Sequence, residues 1–288
     1  MSRRSFIRLI TGAGGASLLS VPLYSRFIEP WWTEVTRNRI LLDDLPPAFD
    51  GFTIAQISYI HYHDRMPLRH LEEAVLEISR HKPDLIALTG DFLYGKDEER
   101  IHPLAEILSQ LKAPEGVLAV PGNHDYWIFA LRQLPTLTGK EKVVFGALER
   151  AGIQVLRNES LTLHREGMGI HIVGLDDYWA GQMDVPAAFE GLAPEKTRIV
   201  LAHNPDSILN IKRNRADLIL CGHTHGGQVK LPFTGPLFIP VQLTQFIAGL
   251  YAWGKRAVYV NRGFGFVWYP LRLNARPEIS LITLARSV

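Results

Sequence analysis

The chain has a single cysteine, Cys221, among its 288 residues. One thiol cannot build an intrachain disulfide framework, and it excludes a cysteine-rich zinc site. An excess of one charge is also missing. There are 31 Lys and Arg against 29 Asp and Glu, a formal net charge of +2, and no basic run. The electrostatic footprint of a nucleic-acid binder is therefore absent, and no nucleic-acid partner is expected. Internal repeats, low-complexity blocks and linkers long enough to divide the chain are absent as well. What remains is 47% hydrophobic and 21% charged, the profile of a globular protein with one sizeable core.

Near its start the chain has an uncharged run. Arg3-Arg4 precede Phe6 and Ile7, and no charged residue lies between Leu9 and Tyr24. A cationic start followed by a short apolar region is the layout of a signal peptide. The arginine pair resembles a twin-arginine export signal, a route taken by folded proteins. No clean Ala-x-Ala cleavage site follows. Leu9 to Ile28, broken only by Arg26, approaches the ~20 residues that a membrane span needs. Residues 1–28 are expected to be either a twin-arginine signal or an uncleaved N-terminal anchor. Either places the rest of the chain outside the cytoplasm, at the membrane or in the periplasm.

From Glu34 onward the sequence reads as one domain, 34–288. Short apolar runs recur at Phe52–Ile57, Leu85–Leu88, Gly116–Val120, Ile199–Leu201 and Leu218–Leu220. Between the first two, Leu68, Leu71, Val75 and Ile78 fall at helical spacing, and Ile101 to Leu111 repeats that pattern before the third. Strand and helix in alternation predict an α/β fold with buried strands. The last third, rich in Pro, Gly and aromatics, reads as β, with extended runs at Ala257–Val260 and Ile279–Leu284.

The polar residues that interrupt this pattern stand just after the apolar runs. They are Ser58-Tyr59-Ile60-His61, Gly90-Asp91, Gly122-Asn123-His124-Asp125, His203-Asn204 and Gly222-His223-Thr224-His225. In α/β sheets, ligands gather outside the carboxyl ends of strands. Imidazole, carboxylate and amide oxygen together suit divalent first-row metals such as Mn, Fe or Zn. A carboxylate shared by two cations is the arrangement used for displacement at phosphorus. Taken singly each block is weak, since Gly-Asp after a strand is usually a turn. Their joint occurrence at successive strand ends is what points to a site.

These blocks resemble the signature of the calcineurin-like metallophosphoesterases. The match runs from about Glu34 to the C-terminus. The Gly222–Gln228 block, Arg262-Gly-Phe-Gly and Arg276-Pro-Glu278 look closest to an exported branch that includes YkuE- and YaeI-like phosphodiesterases. The resemblance implies two mixed β-sheets in a sandwich flanked by helices, the four-layer form of the α/β class. It implies a hydrolase of phosphodiesters or phosphomonoesters with two divalent metal ions. Asp91 would bridge them, Asn123, His203 and His223 would complete one site, and His61 and His225 would belong to the other. His124 would lie over the phosphate, with Asp125 orienting its ring.

One residue departs from that pattern. The family's first motif is Asp-x-His, and here it reads Tyr59-Ile60-His61. A phenol has a pKa of about 10, so it cannot supply a carboxylate's charge at neutral pH. Three outcomes stay open: a first site held by His61, Asp91 and His225 alone, a ferric phenolate, or a lost first site. The last would leave a mononuclear or non-catalytic phosphate- or metal-binding protein. His63 and Asp64 stand near enough in sequence to compensate. Tyr126-Trp127, Trp179 and Phe264–Tyr269 either line an apolar groove, as a lipid-linked substrate would want, or belong to the core. Asp176-Asp177 reads as a turn or as a substrate-facing pair.

Overall fold

The structure is a computed structural model that describes residues 20–95, 97–129, 139–211 and 214–287. Most of the expected signal or anchor, residues 1–19, lies outside the described residues. Among the described residues no helix is long and apolar enough to cross a membrane.

Among the described residues fourteen strands follow in order: β1 (Glu34–Leu42), β2 (Thr53–Ile57), β3 (Leu85–Thr89), β4 (Val117–Val120), β5 (Gln154–Val155), β6 (Glu159–Arg165), β7 (Met168–Gly174), β8 (Arg198–Leu201), β9 (Leu218–Cys221), β10 (Lys230–Leu231), β11 (Gly235–Pro236), β12 (Gly249–Trp253), β13 (Arg256–Val260) and β14 (Glu278–Arg286). One six-stranded sheet has the order β1-β14-β2-β3-β4-β5, and the other β12-β13-β9-β8-β7-β6. Both are mixed. In the first, β14 runs antiparallel to β2 while β2, β3, β4 and β5 are parallel. In the second, β7, β8, β9 and β13 are parallel and β6 and β12 close the edges antiparallel.

The apolar runs are continuous because their strands are buried on both faces. Leu85 and Ala87 of β3 point between the sheets, while Ile86 and Leu88 point to the helices. Ile199 and Leu201 of β8 likewise face the inter-sheet core, and Val200 faces outward to a third cluster. Helices α1 (residues 20–27), α2 (Leu68–Arg80), α3 (Ile101–Leu108), α4 (Lys140–Arg150) and the single turn α5 (Val185–Ala188) supply the outer layers. Leu71, Val75 and Ile78 of α2 are buried, as their spacing predicts. The result is the expected four-layer sandwich. The expected helix 101–111 ends three residues early, at Leu108. From Val229 the chain forms one short hairpin, β10 with β11, and no full strand until β12.

Candidate metal centre

Five loops converge, and each leaves the carboxyl end of a parallel strand: β2, β3, β4, β8 and β9. Backbone pairing continues past the strand ends and fixes the loops to one another. The Tyr59 amide donates to the Gly90 carbonyl at 3.0 Å, His61 to Asp91 at 3.0 Å, and Gly222 to His203 at 2.8 Å. Tyr59, His61, Asp91, His223 and His225 all hold positive φ, between 48° and 68°. Such conformations cost about 1–3 kcal/mol each and persist only where the surroundings over-determine them. Two glycines make room. A Cβ on Gly90 would stand 2.6 Å from the His203 ring, and one on Gly122 would fall on the Asp91 carboxylate.

Asp91 is the hub. It is fully buried, and its Oδ2 lies 3.0 Å from His61 Nε2 and 3.1 Å from His203 Nε2. Its Oδ1 accepts the His124 backbone N–H at 2.8 Å. Burial alone would raise its pKa, but His203, His124 and the hydrogen bonds outweigh that and hold it well below the usual carboxylate range. His203 fixes its ring by donating from Nδ1 to the Thr89 carbonyl at 2.8 Å. Its Nε2 meets His223 Nδ1 at 3.1 Å, and His223 Nε2 meets the Pro240 carbonyl at 3.0 Å. Among the described residues two groups have ligand atoms within 4.8 Å of one another: His61, Asp91 and His124, and Asp91, His203 and His223.

Several expected contacts differ. Asp125 does not touch the His124 ring. It accepts the backbone N–H groups of Asp91 and Gly122 on one oxygen and of Phe92 on the other, at 2.9–3.0 Å, and so ties two loops together. Burial and the neighbouring Asp91 charge raise its pKa to about 7. His225 joins neither group. Tyr59 packs against both halves of the expected first site, stacked on His61 at 3.7 Å between centroids and edge-on to His225 at 3.3 Å. Burial and Asp91 push the phenol well above its ordinary value, so it is a neutral ring. Neither downstream candidate replaces the carboxylate. Asp64 is exposed and paired with Arg100, and His63 turns its Nδ1 to the Arg65 amide. Asp176 binds Tyr126 and Arg157, whereas Asp177 keeps one buried oxygen unpartnered. Phe264 and Phe266 are core, Trp179 stands edge-on to His223 at 4.6 Å, and Trp268 and Tyr269 are exposed.

Residues 52–227, more than half of the chain, match the family model of the calcineurin-like phosphoesterases. The chain belongs to that family. It is a metal-dependent phosphoric ester hydrolase by class, since calcineurin-like phosphoesterases use divalent metals. Its sequence is 37% identical to the metallophosphoesterase YkuE of Bacillus subtilis, covering 99% of this chain and 98% of that one. It is 36% identical to the phosphodiesterase YaeI of Escherichia coli over 99% of both. Similarity extends, at 29% identity over 90% of this chain and 92% of the relative, to the UDP-2,3-diacylglucosamine pyrophosphatase LpxG of Chlamydia muridarum.

The donor set fits the family's metals. Asn123 is buried with its Oδ1 unpartnered, and His61 Nδ1, His124 Nδ1 and both nitrogens of His225 are likewise buried without partners. Buried polar atoms are ordinarily hydrogen-bonded, so such a cluster marks a place for a cation. Burial lowers the pKa of His61 to about 4 and of His124 and His223 to about 3, which leaves neutral, ligand-competent imidazoles at pH 7.

Two supporting residues escaped the sequence reading. Lys140 is buried and donates to the carbonyls of His124 and Gly95, each at 3.0 Å. Its one visible signal is a cation in the first turn of a helix, against the dipole. Arg272 is fully buried and donates to the carbonyls of Arg262, Gly263, Gly265 and Ala275, fixing the loop behind Tyr59 and His61. Nothing in its local sequence announces that role.

Proposed function

We propose that the chain hydrolyses a phosphodiester or a pyrophosphate at a two-metal centre whose second site is strong and whose first is weak. The carrying observation is Asp91, a single carboxylate oxygen within reach of imidazoles from both sides. Asp91, Asn123, His203 and His223 would hold the strong site, and His61, Asp91 and His225 the weak one. Mn, Fe or Zn suits this donor set and, when bound, would supply Lewis acidity at phosphorus and a hydroxide nucleophile at neutral pH. The chain's own residues do the rest. His124, carried by the Asp91 carboxylate at its amide and by Lys140 at its carbonyl, presents an unpartnered ring nitrogen. It stabilises charge on the phosphoryl group or protonates the leaving oxygen. Asp125 holds the Gly122 and Asp91 loops in register.

A cleft of about 350 Å³ adjoins this centre, with His63, Arg65, Tyr94 and Arg100 among its walls. Tyr94 stacks toward His61 and His124 at 5.2 and 5.5 Å, so the cleft opens onto the site. Asp64 and Asp97 line it as well and pair with Arg100, which leaves Arg65 as the wall's cation for the anionic remainder of a substrate. The activities of YaeI and LpxG favour a diester or pyrophosphate over a monoester, and LpxG makes a lipid-linked substrate the first to try. Location in the envelope rests on the N-terminal sequence. Replacing Arg3-Arg4 with Lys-Lys should strand a twin-arginine substrate in the cytoplasm, whereas a plain anchor would work as well with either cation.

One observation favours a second reading, a mononuclear or non-catalytic protein: the Tyr59 ring packed on His61 and His225. A metal-reconstituted screen of mono- and diesters, including lipid-linked pyrophosphates, separates the two. Metal-dependent turnover of a diester supports hydrolysis. No turnover with any metal, beside tight phosphate binding, supports the second reading.

A further inference from the structure

An apolar rim borders the centre. Three segments build it: the hairpin of β10 and β11, the loop 266–273, and α1. They are joined directly. Val229 pairs with Leu273, the Lys230 amide donates to the Leu273 carbonyl at 2.8 Å, and the Arg272 amide donates to the Ser25 carbonyl at 2.9 Å. At the hairpin tip Phe233 is 107% exposed, and Phe238 follows at 72%. Trp268 is 69% exposed on the neighbouring loop, next to exposed Tyr269. Phe233 and Trp268 both hold positive φ, 69° and 61°, which is a rare backbone for bulky residues. Two residues past Phe238, Pro240 accepts from the metal-site residue His223, so the rim stands beside the centre.

Contiguous large aromatics this exposed mark an interaction surface. Its composition identifies the partner. Guanidinium groups lie over its rings: Arg65 over Tyr269 at 4.6 Å and Arg26 over Phe27 at 5.0 Å. Trp, Tyr and Phe interleaved with cations suit the headgroup level of an anionic bilayer. The uncharged run Leu9–Tyr24 leads into α1, whose Val21, Leu23 and Phe27 are exposed on the same rim. The uncharged N-terminal run therefore leads directly into the exposed aromatic rim.

We propose that this rim docks on the surface of an anionic phospholipid bilayer and turns the metal centre's mouth toward the membrane. The docking rests on the surface, and only the orientation of the mouth rests on the proposed metal centre. Cys221 is fully buried, so a single introduced cysteine can be labelled selectively. In the full-length chain, Phe238→Cys and Met168→Cys each carry an environment-sensitive fluorophore. Met168 begins β7 and stands at the end of that strand away from the centre. With vesicles of phosphatidylglycerol and phosphatidylethanolamine, the label at 238 should brighten several-fold and shift to the blue, and the label at 168 should not. A label at Tyr269→Cys should lose its response when Phe233→Asp and Phe238→Asp are added, while turnover of a soluble chromogenic diester stays as it was. A silent label at 238 on vesicle-bound protein would overturn the proposal, because the N-terminal segment alone would then be the anchor. A label at 238 already shielded without vesicles, or shielded as protein concentration rises, would overturn it in favour of the N-terminal segment or a second copy as the occupant.

Discussion

Tyr59→Asp restores the carboxylate at the first metal site, and its effects on the empty and loaded protein have opposite signs. Without metal, the change removes a buried ring that packs on His61 and His225. Truncating a buried aromatic costs about 3–5 kcal/mol, and the new carboxylate also stands near Asp91. At about 2 °C per kcal/mol for a chain of this size, the metal-free variant should melt about 6–10 °C below the metal-free parent. With metal the sign reverses. An anion about 4 Å from a dication at an effective dielectric of about 20 gains about 8 kcal/mol. If desolvation offsets two thirds of that, about 2.7 kcal/mol remains, or about a hundredfold in affinity. Dialysis against micromolar Mn or Zn followed by elemental analysis should give about one ion per chain for the parent and approach two for the variant. Turnover at limiting metal should rise with it. The Tyr59 ring is packed on His61 and His225, so the parent should show no phenolate charge-transfer band with iron. A parent that already holds two tight ions, unchanged by Tyr59→Asp, would refute the reasoning. So would an intense visible band.

Three further outcomes follow from the same geometry. His124→Ala should lower diester turnover about a hundredfold while metal content stays as in the parent, as elemental analysis would record; loss of bound metal would make His124 a ligand instead. Burial would lower the His203 pKa, but Asp91 and Asp177 outweigh it and raise it to about 9, so the ring binds a proton at pH 7 where a ligand must be neutral. Metal uptake should therefore release about one proton per chain, and affinity should rise about tenfold per pH unit below pH 9 and level off above it. Titration calorimetry in buffers of different ionisation enthalpy measures this directly, and zero release contradicts the His203 assignment. Arg272→Ala should lower the melting temperature by about 8 °C, since it strips buried carbonyls of their donor and leaves a cavity worth about 4 kcal/mol together. A change within a degree would mean that water replaces the guanidinium.

The parts of the fold that the sequence discloses are those governed by short-range rules. Leu85–Leu88 and Leu218–Leu220 read as buried strands because both of their faces are apolar, and each strand runs one residue further; α2 reads from the spacing of Leu71, Val75 and Ile78. The convergence of Asp91, Asn123, His203 and His223 is legible because each follows such a strand, and parallel strands deliver their carboxyl ends to one edge. Hydrogen-bond direction is not legible in this way. Asp125 stands next to His124 in sequence, yet the chain turns its carboxylate back to the Gly122 and Asp91 amides. His225 matches the motif, but the bulk of Tyr59, a long-range neighbour, decides where its ring can go. Lys140 and Arg272 act through backbone carbonyls of distant loops, which no local pattern records. The aromatic stretch Phe264–Tyr269 divides between core and surface at Val267: Phe264 and Phe266 pack into the core and Trp268 and Tyr269 are exposed, a break that no periodicity in the sequence records.

The central claim is that Asp91 is the shared ligand of a hydrolytic metal centre. The most direct measurement takes stripped parent and stripped Asp91→Asn, reconstitutes both with Mn or Zn, and records metal content and diester turnover on the same samples. The parent should regain at least one ion and activity together. The variant should regain neither, with turnover down by about a thousandfold or more. An Asp91→Asn protein that binds the metal in full and turns over the diester at the parent's rate would contradict the account.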